Sequence, residues 1–275
     1  MRTKTQLIAA AAAVTFITAT TASAAVLIGF ESSEGYVTGS LDPAGPDNAQ
    51  PTAGTGTDWS VAGDSGDPVY NVTSGVGVGS SNGLVMDPNN FPASGSPFAD
   101  FQATAADWGV PSLSNFDGTA TVSFDIDIEQ LGTSGANAFV LRPFGGTSTS
   151  PGEVRFRANG AVRLQAGSAQ QSQAGGWDPT AGFQSFSITA DYTNQTLTLT
   201  GASLPSAGLV INSFAPNAGP DLGAPRLTLT TQANLAQVGS VTLDNINISA
   251  TPIPEPASAL AALGMLGALG IRRRR

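Results

Sequence analysis

Apolar and polar residues alternate along several short segments of this chain. The clearest is Thr119 to Gln130, where five apolar residues at even positions alternate with hydroxyl and carboxylate side chains at odd positions. Successive side chains of an extended strand point to opposite sides of its sheet. The segment is therefore predicted to be a strand with one buried face and one face open to solvent.

A second alternating segment, Glu153 to Gln165, contains an Asn-Gly pair near its middle. A two-residue turn at that pair would mix apolar and polar residues on each face of the hairpin. A three-residue loop over 158–160 instead pairs Phe156 with Val162 and keeps the apolar residues together. The pattern therefore predicts a hairpin with the longer loop and with Gly160 in a left-handed conformation.

The same two-residue period recurs from Val26–Phe30, near the start of the chain, to Val241–Ala250, near its end. In the last segment the apolar phase slips by one residue at Asp244-Asn245, which predicts a β-bulge. The chain has 33 glycines and 18 prolines, and no sustained helical periodicity between its two ends. We therefore predict an all-β domain over residues 25–252. It is expected to be a two-sheet antiparallel jelly-roll sandwich whose first and last strands pair.

The first 24 residues have the three parts of a secretory signal peptide. Two basic residues precede an apolar run, Leu7 to Ala19, and the small residues Ala22 and Ala24 mark a cleavage site. We predict a signal helix over residues 1–24 that signal peptidase removes, so that the mature chain begins at Ala25.

The last 23 residues, 253–275, form a second hydrophobic segment. Pro254, Glu255 and Pro256 precede an uncharged apolar run over 257–271, and four arginines end the chain. As a helix the run would span about 22 Å, against a hydrocarbon core of about 30 Å. The arginines are expected to stay on the cytoplasmic side. A hydrophobic helix this short indicates a sorting signal more than a lasting anchor.

This ending resembles a PEP-CTERM sorting tail, on the Ile253-Pro254-Glu255-Pro256 motif, the apolar run and the terminal arginines. The resemblance covers the last 23 residues only. It implies recognition and cleavage by an exosortase in the bacterial inner membrane. It also implies export of the domain to the cell envelope or the extracellular matrix.

Composition excludes several classes of function. The chain has no cysteine and no histidine, which rules out disulfides, thiol nucleophiles, a Ser-His-Asp triad and histidine-ligated metals. Six of the 11 basic residues and one of the 20 acidic residues lie in the two ends, which leaves 5 against 19 in residues 25–252. The resulting formal charge of −14 predicts no nucleic-acid partner. Carboxylate chemistry and oxygen-ligated calcium stay open.

Three carboxylates alternate on the polar side of the 119–130 strand, at Asp125, Asp127 and Glu129. They resemble the Glu-x-Asp-x-Glu strand of family 16 glycoside hydrolases, and the resemblance implies Asp125 as nucleophile and Glu129 as acid/base. The first acid is a shorter Asp here, and the two Cα atoms would be about 13 Å apart. A retaining pair needs carboxyls about 5 to 5.5 Å apart. The alternative is a solvated polar face that pairs with the arginine face of the hairpin, formed by Arg155, Arg157 and Arg163.

Two further sites are candidates. If the terminal strands pair, Glu31 and Asp244 lie at one end of the sandwich, where they could hold a structural calcium ion. Trp177 follows two glycines in a loop-like segment and is the best candidate to stack on a sugar ring, ahead of Trp59, Trp108 and Tyr192. The alternative for each is a place in the core or at its edge.

From Thr119 onward the alternating segments resemble concanavalin-A-like and laminin-G-like sandwiches. The segments that carry the resemblance are Thr121 to Ile126, Phe186 to Asp191, Thr196 to Thr200 and Val241 to Ile246. With the sorting tail, they favour an exported, non-enzymatic surface protein that binds an exopolysaccharide. The alternatives are a secreted glycoside hydrolase that uses Asp125 and Glu129, and a purely structural surface protein.

Overall fold

The computed structural model describes residues 25–41, 59–62, 70–87, 98–101, 104–110, 112, 116–130, 137–144, 152–178, 180–212, 226–229 and 238–253. The predicted signal peptide with its cleavage residues Ala22 and Ala24, and the tail motif Pro254, Glu255 and Pro256, lie outside these residues. Across the described ranges, no helix combines the length and the apolar character that crossing a bilayer requires.

The described residues are almost entirely β-strand. One turn of α-helix, α1, spans Ala105–Trp108, and two 3-10 turns span Ser32–Glu34 and Val78–Ser80. The strands, in chain order, are β1 Ala25–Ile28, β2 Gly39–Ser40, β3 Trp59–Ala62, β4 Tyr70–Thr73, β5 Gly83–Met86, β6 Phe98–Phe101, β7 Gly118–Gln130, β8 Asn137–Arg142, β9 Glu153–Arg157, β10 Val162–Ala166, β11 Ala169–Gln173, β12 Gln184–Asp191, β13 Thr196–Gly201, β14 Leu209–Ile211, β15 Arg226–Leu229 and β16 Val238–Pro252.

These strands form two antiparallel sheets. Sheet one has the order β14-β13-β12-β7-β16-β5-β4-β2, with β1 also paired to β16, and sheet two has the order β11-β10-β9-β8-β15-β6-β3. The chain passes from one sheet to the other after β2, β3, β5, β6, β7, β11, β14 and β15. The predicted all-β class with two antiparallel sheets, consistent with a sandwich, is confirmed for the described residues.

Apolar side chains from both sheets meet in one core. Phe124 and Phe186 of sheet one contact Phe156 of sheet two, with ring centroids 6.1 and 4.9 Å apart. Each buried aromatic ring of this size contributes about 2 to 3 kcal/mol through removal of apolar surface from water. The core therefore holds the sheets face to face and leaves the alternate side chains of each strand on an outer surface.

The strand registers confirm three predictions. Val162 pairs with Phe156, and Gly160 has a φ of 79°. The first strand pairs with the last over Ala25–Ile28. The register of β16 against β7 shifts between Asp244 and Asn247, so the predicted bulge is present.

Gly118 begins β7 with a φ of 140°, and a Cβ there would lie 2.1 Å from the carbonyl oxygen of Thr251. We expect Gly118→Ala to lower the free energy of unfolding by about 2 kcal/mol or more, because strain and overlap add. Gly182→Ala is the control, since Gly182 has a φ of 67° but no atom within 4 Å of a Cβ. It should lose only about 1 kcal/mol. Urea unfolding measures both, and equal losses would contradict this account.

Candidate functional site

The carboxylates of β7 lie on the outer surface of sheet one, as predicted. The side chains at Phe124, Ile126 and Ile128 are buried, and those between them are half-buried or exposed. Asp125 accepts hydrogen bonds from Ser185 Oγ at 2.5 Å and from an asparagine amide at 2.8 Å.

Glu129 has a different partner. Its Oε2 accepts the backbone N–H of Ser240 at 3.1 Å and the Ser240 hydroxyl at 3.3 Å. The described arginines of the 153–165 hairpin lie in sheet two. The expectation that the β7 carboxylates pair with those arginines is therefore wrong, because the two faces belong to opposite sides of the sandwich. Backbone and side-chain donors of sheet one stabilise this face instead.

Two carboxylates lie next to each other where the bulge in β16 begins. Asp244 lies directly opposite Asp125 in the register of β16 and β7. Like charges at such positions repel and destabilise a sheet. Asn245 adopts a φ of 50°, and its backbone N–H donates to Asp244 Oδ1 at 2.7 Å while its Nδ2 donates to Asp125 Oδ2 at 2.8 Å. One bulge residue thus supplies a donor to each carboxylate.

Glu31 and Asp244, the predicted calcium ligands, both bind the segment between β4 and β5. Asp244 Oδ2 accepts the N–H of Val78 at 2.8 Å and the hydroxyl of Ser81 at 2.9 Å. Glu31 Oε1 accepts the N–H of Asn82 at 2.8 Å. Two carboxylates from opposite ends of the chain therefore hold one loop, as the pairing of the terminal strands predicts.

This donor set does not fit a calcium ion. Calcium takes six to eight oxygen ligands, whereas the Asp244 carboxylate, only 1% exposed, faces N–H and O–H donors from three residues. In the part of the chain that the structure describes, no group of three or more His, Cys, Asp or Glu side chains could hold a metal. The hydrogen bonds themselves account for the burial of this charge.

The aromatic candidates are all buried. Trp177 is 2% exposed, and its indole N–H donates to the carbonyl of Arg157 at 2.9 Å. Its backbone N–H donates to Gly160, so the residue closes the end of the β9–β10 hairpin. The predicted role of Trp177 as a stacking platform does not fit this position, because neither ring face is open. Trp59, Trp108 and Tyr192 are likewise buried.

The outer surface of sheet two carries a group of arginines that we call the arginine face: Arg142, Arg155, Arg157 and Arg163. Arg155 and Arg163 are directly opposite each other on β9 and β10. The residues between them along each strand, such as Phe156 and Leu164, are buried in the core. Each arginine is half-buried, so its apolar stem covers the sheet while the guanidinium meets solvent.

One carboxylate meets this face directly. Glu153 accepts hydrogen bonds from Arg142 Nε at 3.2 Å and from Arg155, so the carboxylate that pairs with Arg155 comes from sheet two and not from β7. The guanidinium of Arg163 donates instead to the amide oxygen of Gln170 on β11. The Nε atoms of Arg157 and Arg163 are buried and have no hydrogen-bond partner among the described residues.

The pKa of Arg163 is lowered from its ordinary value, first by burial and then by the like charges of Arg155 and Arg157, while Glu153 acts in the opposite direction. Arginine still stays protonated in proteins. Burial is the larger cause of this direction, and the neighbouring positive charges add to it.

The sequence did not predict the residues that form hydrogen bonds with the candidate site residues. Asn245, Ser185 and Ser81 hold the carboxylates, and Gln170 holds an arginine. The one available signal was an asparagine inside a predicted bulge, since Asn tolerates positive φ better than other non-glycine residues. Ser81 lies in a loop, and Gln170 lies on an edge strand. At both places the alternation of apolar and polar residues does not predict the contacts of a side chain.

No protein-family model matches this chain, and neither does any curated protein. Solved structures match at low identity. The binding domain of Paraclostridial Mosquitocidal Protein 1 is 13% identical with a TM-score of 0.49, and the match covers 84% of this chain and 50% of that one. The receptor binding domain of botulinum neurotoxin D is 11% identical with a TM-score of 0.48, at 88% and 53% coverage.

A third similar structure is the alginate lyase AlgAT5 from Polysaccharide Lyase family 7. It is 10% identical with a TM-score of 0.47, and the match covers 82% of this chain and 94% of that one. This chain spans about half the length of the two toxin domains. Resemblance at this level does not identify a ligand or an activity for this chain.

We predict that Asp244→Asn lowers the free energy of unfolding by about 2 kcal/mol, because it removes a charged acceptor from three donors. Asp127→Asn, on the outer surface of β7, is the control and should change stability by less than about 0.5 kcal/mol. Thermal unfolding with and without calcium measures both effects. A calcium-dependent rise in Tm that Asp244→Asn abolishes would show that the carboxylate binds the ion after all.

Proposed function

We propose that this chain is an exported, non-enzymatic β-sandwich protein that binds a polysaccharide of the bacterial cell surface or matrix. The observation that supports this most is the outer surface of β9, β10 and β11. There, arginine and glutamine side chains share the outer side of three neighbouring strands, whose backbones lie about 4.8 Å apart.

The side chains of this surface suit the hydroxyl groups of sugars. Gln165, Gln170 and Ser172 are at outer positions: Gln165 is in register with Glu153 and Gln170, and Ser172 is in register with Arg163. Amide and guanidinium groups present several donors in a fixed plane, which fits the closely spaced oxygens of a sugar ring. Long rows of such groups can bind an extended polymer without a deep pocket.

The hydrolase alternative gains no support from the contacts of β7. Asp125 is hydrogen-bonded to Ser185 and Asn245, and Glu129 is hydrogen-bonded to Ser240. The two acids thus lean toward separate partners, whereas a retaining pair must converge on one glycosidic bond. A binding role therefore needs fewer assumptions than catalysis.

The proposed location rests on the two ends of the sequence. Signal peptidase would release the chain after Ala24, and an exosortase would read Pro254, Glu255 and Pro256. The arginines at the end of the chain would keep the tail in the inner membrane during sorting. The domain would then reach the envelope or the matrix.

Binding is tested with the purified full chain and a panel of insoluble polysaccharides in a pull-down assay. We expect retention on at least one polymer, with no release of reducing sugar. Gln170→Ala should weaken retention severalfold, since one hydrogen-bond contact is worth about 1 kcal/mol. Gln171→Ala is the matched control, because Gln171 lies on the same strand but pairs with the buried Leu164 on the other side.

Two outcomes contradict this proposal. Absence of retention on every polymer would favour a purely structural surface protein. Release of reducing sugar that Asp125→Ala abolishes would favour the glycoside hydrolase.

Sorting is tested in the native bacterium by replacing Pro254, Glu255 and Pro256 together with alanine. We expect the altered chain to stay with the inner membrane, because the enzyme that reads the motif no longer recognises it. Cell fractionation and immunoblotting measure this, and alanine replacement of Ile253 is the control. Unchanged distribution of the triple variant would argue against an exosortase.

A further inference from the structure

The positive charges of residues 25–252 are concentrated on one sheet. That span contains five basic residues, all arginines. Every one of them lies on β8, β9, β10 or β15, which are adjacent strands of sheet two. The 19 acidic residues of the same span are distributed along its whole length.

The four of these arginines whose side chains are described also share one side of the sheet. Arg163 pairs with Arg155, and Arg142 reaches Glu153 across the β8–β9 pair. Arg157 follows Arg155 by two positions and so lies on the same side. The backbone position of Arg226 is directly opposite Arg142 in the register of β15 and β8.

Carboxylates compensate only part of this charge. Among the described side chains, Glu153 contacts this face, and the backbone position of Asp100 is opposite Arg226 in the register of β6 and β15. Glu153 serves Arg142 and Arg155 at once. In the described part of the chain, no ion pair joins Arg157 or Arg163 to a carboxylate, so their charges are less compensated than those of Arg142 and Arg155.

We propose that the arginine face binds an acidic polysaccharide, with Arg157 and Arg163 receiving its carboxylate or sulfate groups. This inference rests on the proposed polysaccharide binding and names the class of ligand. A guanidinium binds a carboxylate or a sulfate through two parallel hydrogen bonds, which are shorter and stronger than bonds between neutral groups. The anion would also relieve the repulsion among Arg155, Arg157 and Arg163.

A polysaccharide fits better than other anionic polymers. The net charge of −14 in residues 25–252 repels every polyanion, and it acts most strongly on duplex DNA, which carries one charge per about 1.7 Å. A polyuronate has uncharged hydroxyl groups between its carboxylates, and Gln165, Gln170 and Ser172 provide uncharged partners between and beside the arginines.

The experiment compares polygalacturonate with the same polymer after methyl esterification, which removes the charge and keeps the sugar backbone. Isothermal titration of the full chain should give at least roughly tenfold tighter binding to the acidic polymer, as expected for a charge-assisted contact. Binding should weaken as salt increases, because exposed charges are screened. Dextran sulfate against dextran tests whether sulfate replaces carboxylate.

Variants locate the binding surface. Arg163→Gln and Arg157→Gln should each weaken binding to polygalacturonate by roughly tenfold or more and leave binding to the esterified polymer unchanged. Thr200→Glu is the charge-matched control, because it makes the same change in net charge at an exposed position of sheet one. Thermal unfolding of each variant checks that it folds, and either arginine variant suffices for the test.

The possible outcomes distinguish a failure of this inference from a failure of the proposed polysaccharide binding. Equal binding to the acidic and the esterified polymer would overturn the inference and leave polysaccharide binding intact. Binding to no polysaccharide would overturn both. Tighter binding to duplex DNA or to phosphatidylglycerol vesicles than to polygalacturonate would overturn the choice of ligand, as would equal losses in Thr200→Glu and the arginine variants.

Discussion

The antiparallel pairing of β7 with β16 joins residues that are 120 positions apart, such as Asp125 and Asn245. Closing so long a loop costs conformational entropy, and each pairing contact must repay part of it. The two strands bury Val122, Ile126, Leu243 and neighbouring apolar residues on their inner side. Sheet one is assembled on both flanks of this pair, since β12 adds to β7 and both β5 and β1 add to β16.

The same pairing places two carboxylates side by side, and the bulge supplies hydrogen-bond donors that stabilise them. An unbroken register brings Asp244 and Asp125 opposite each other, and two adjacent carboxylates repel. The extra residue Asn245 reaches both acids with separate donors. Asp244 can then hold the loop at Val78 and Ser81, so the repulsion is converted into a link between the sheet and its connecting segment.

Much of the fold could be predicted because alternation has a simple physical cause. The core side of β7, the hairpin register at Phe156 and the bulge at Asp244 all follow from which side chains must leave water. Contacts between distant segments could not be predicted in the same way. The burial of Trp177 depends on the end of a hairpin that packs over it, and the pattern around two glycines contains no information on that packing.

The relation between the charged faces was the least predictable feature, because alternation assigns a residue to an outer side but not to a sheet. The carboxylates of β7 and the arginines of the hairpin, which were expected to pair, lie on opposite sides of the core. The consequence is an asymmetry in hydrogen bonding. Asp125, Glu129 and Asp244 are met by donors of their own sheet, whereas Arg157 and Arg163 keep buried Nε donors without partners among the described residues. Glu153 is shared by Arg142 and Arg155, so positive charge exceeds negative charge among the described side chains of the arginine face. The two outer surfaces of the sandwich therefore differ in sign, because the carboxylates of β7 lie on sheet one and the arginines on sheet two.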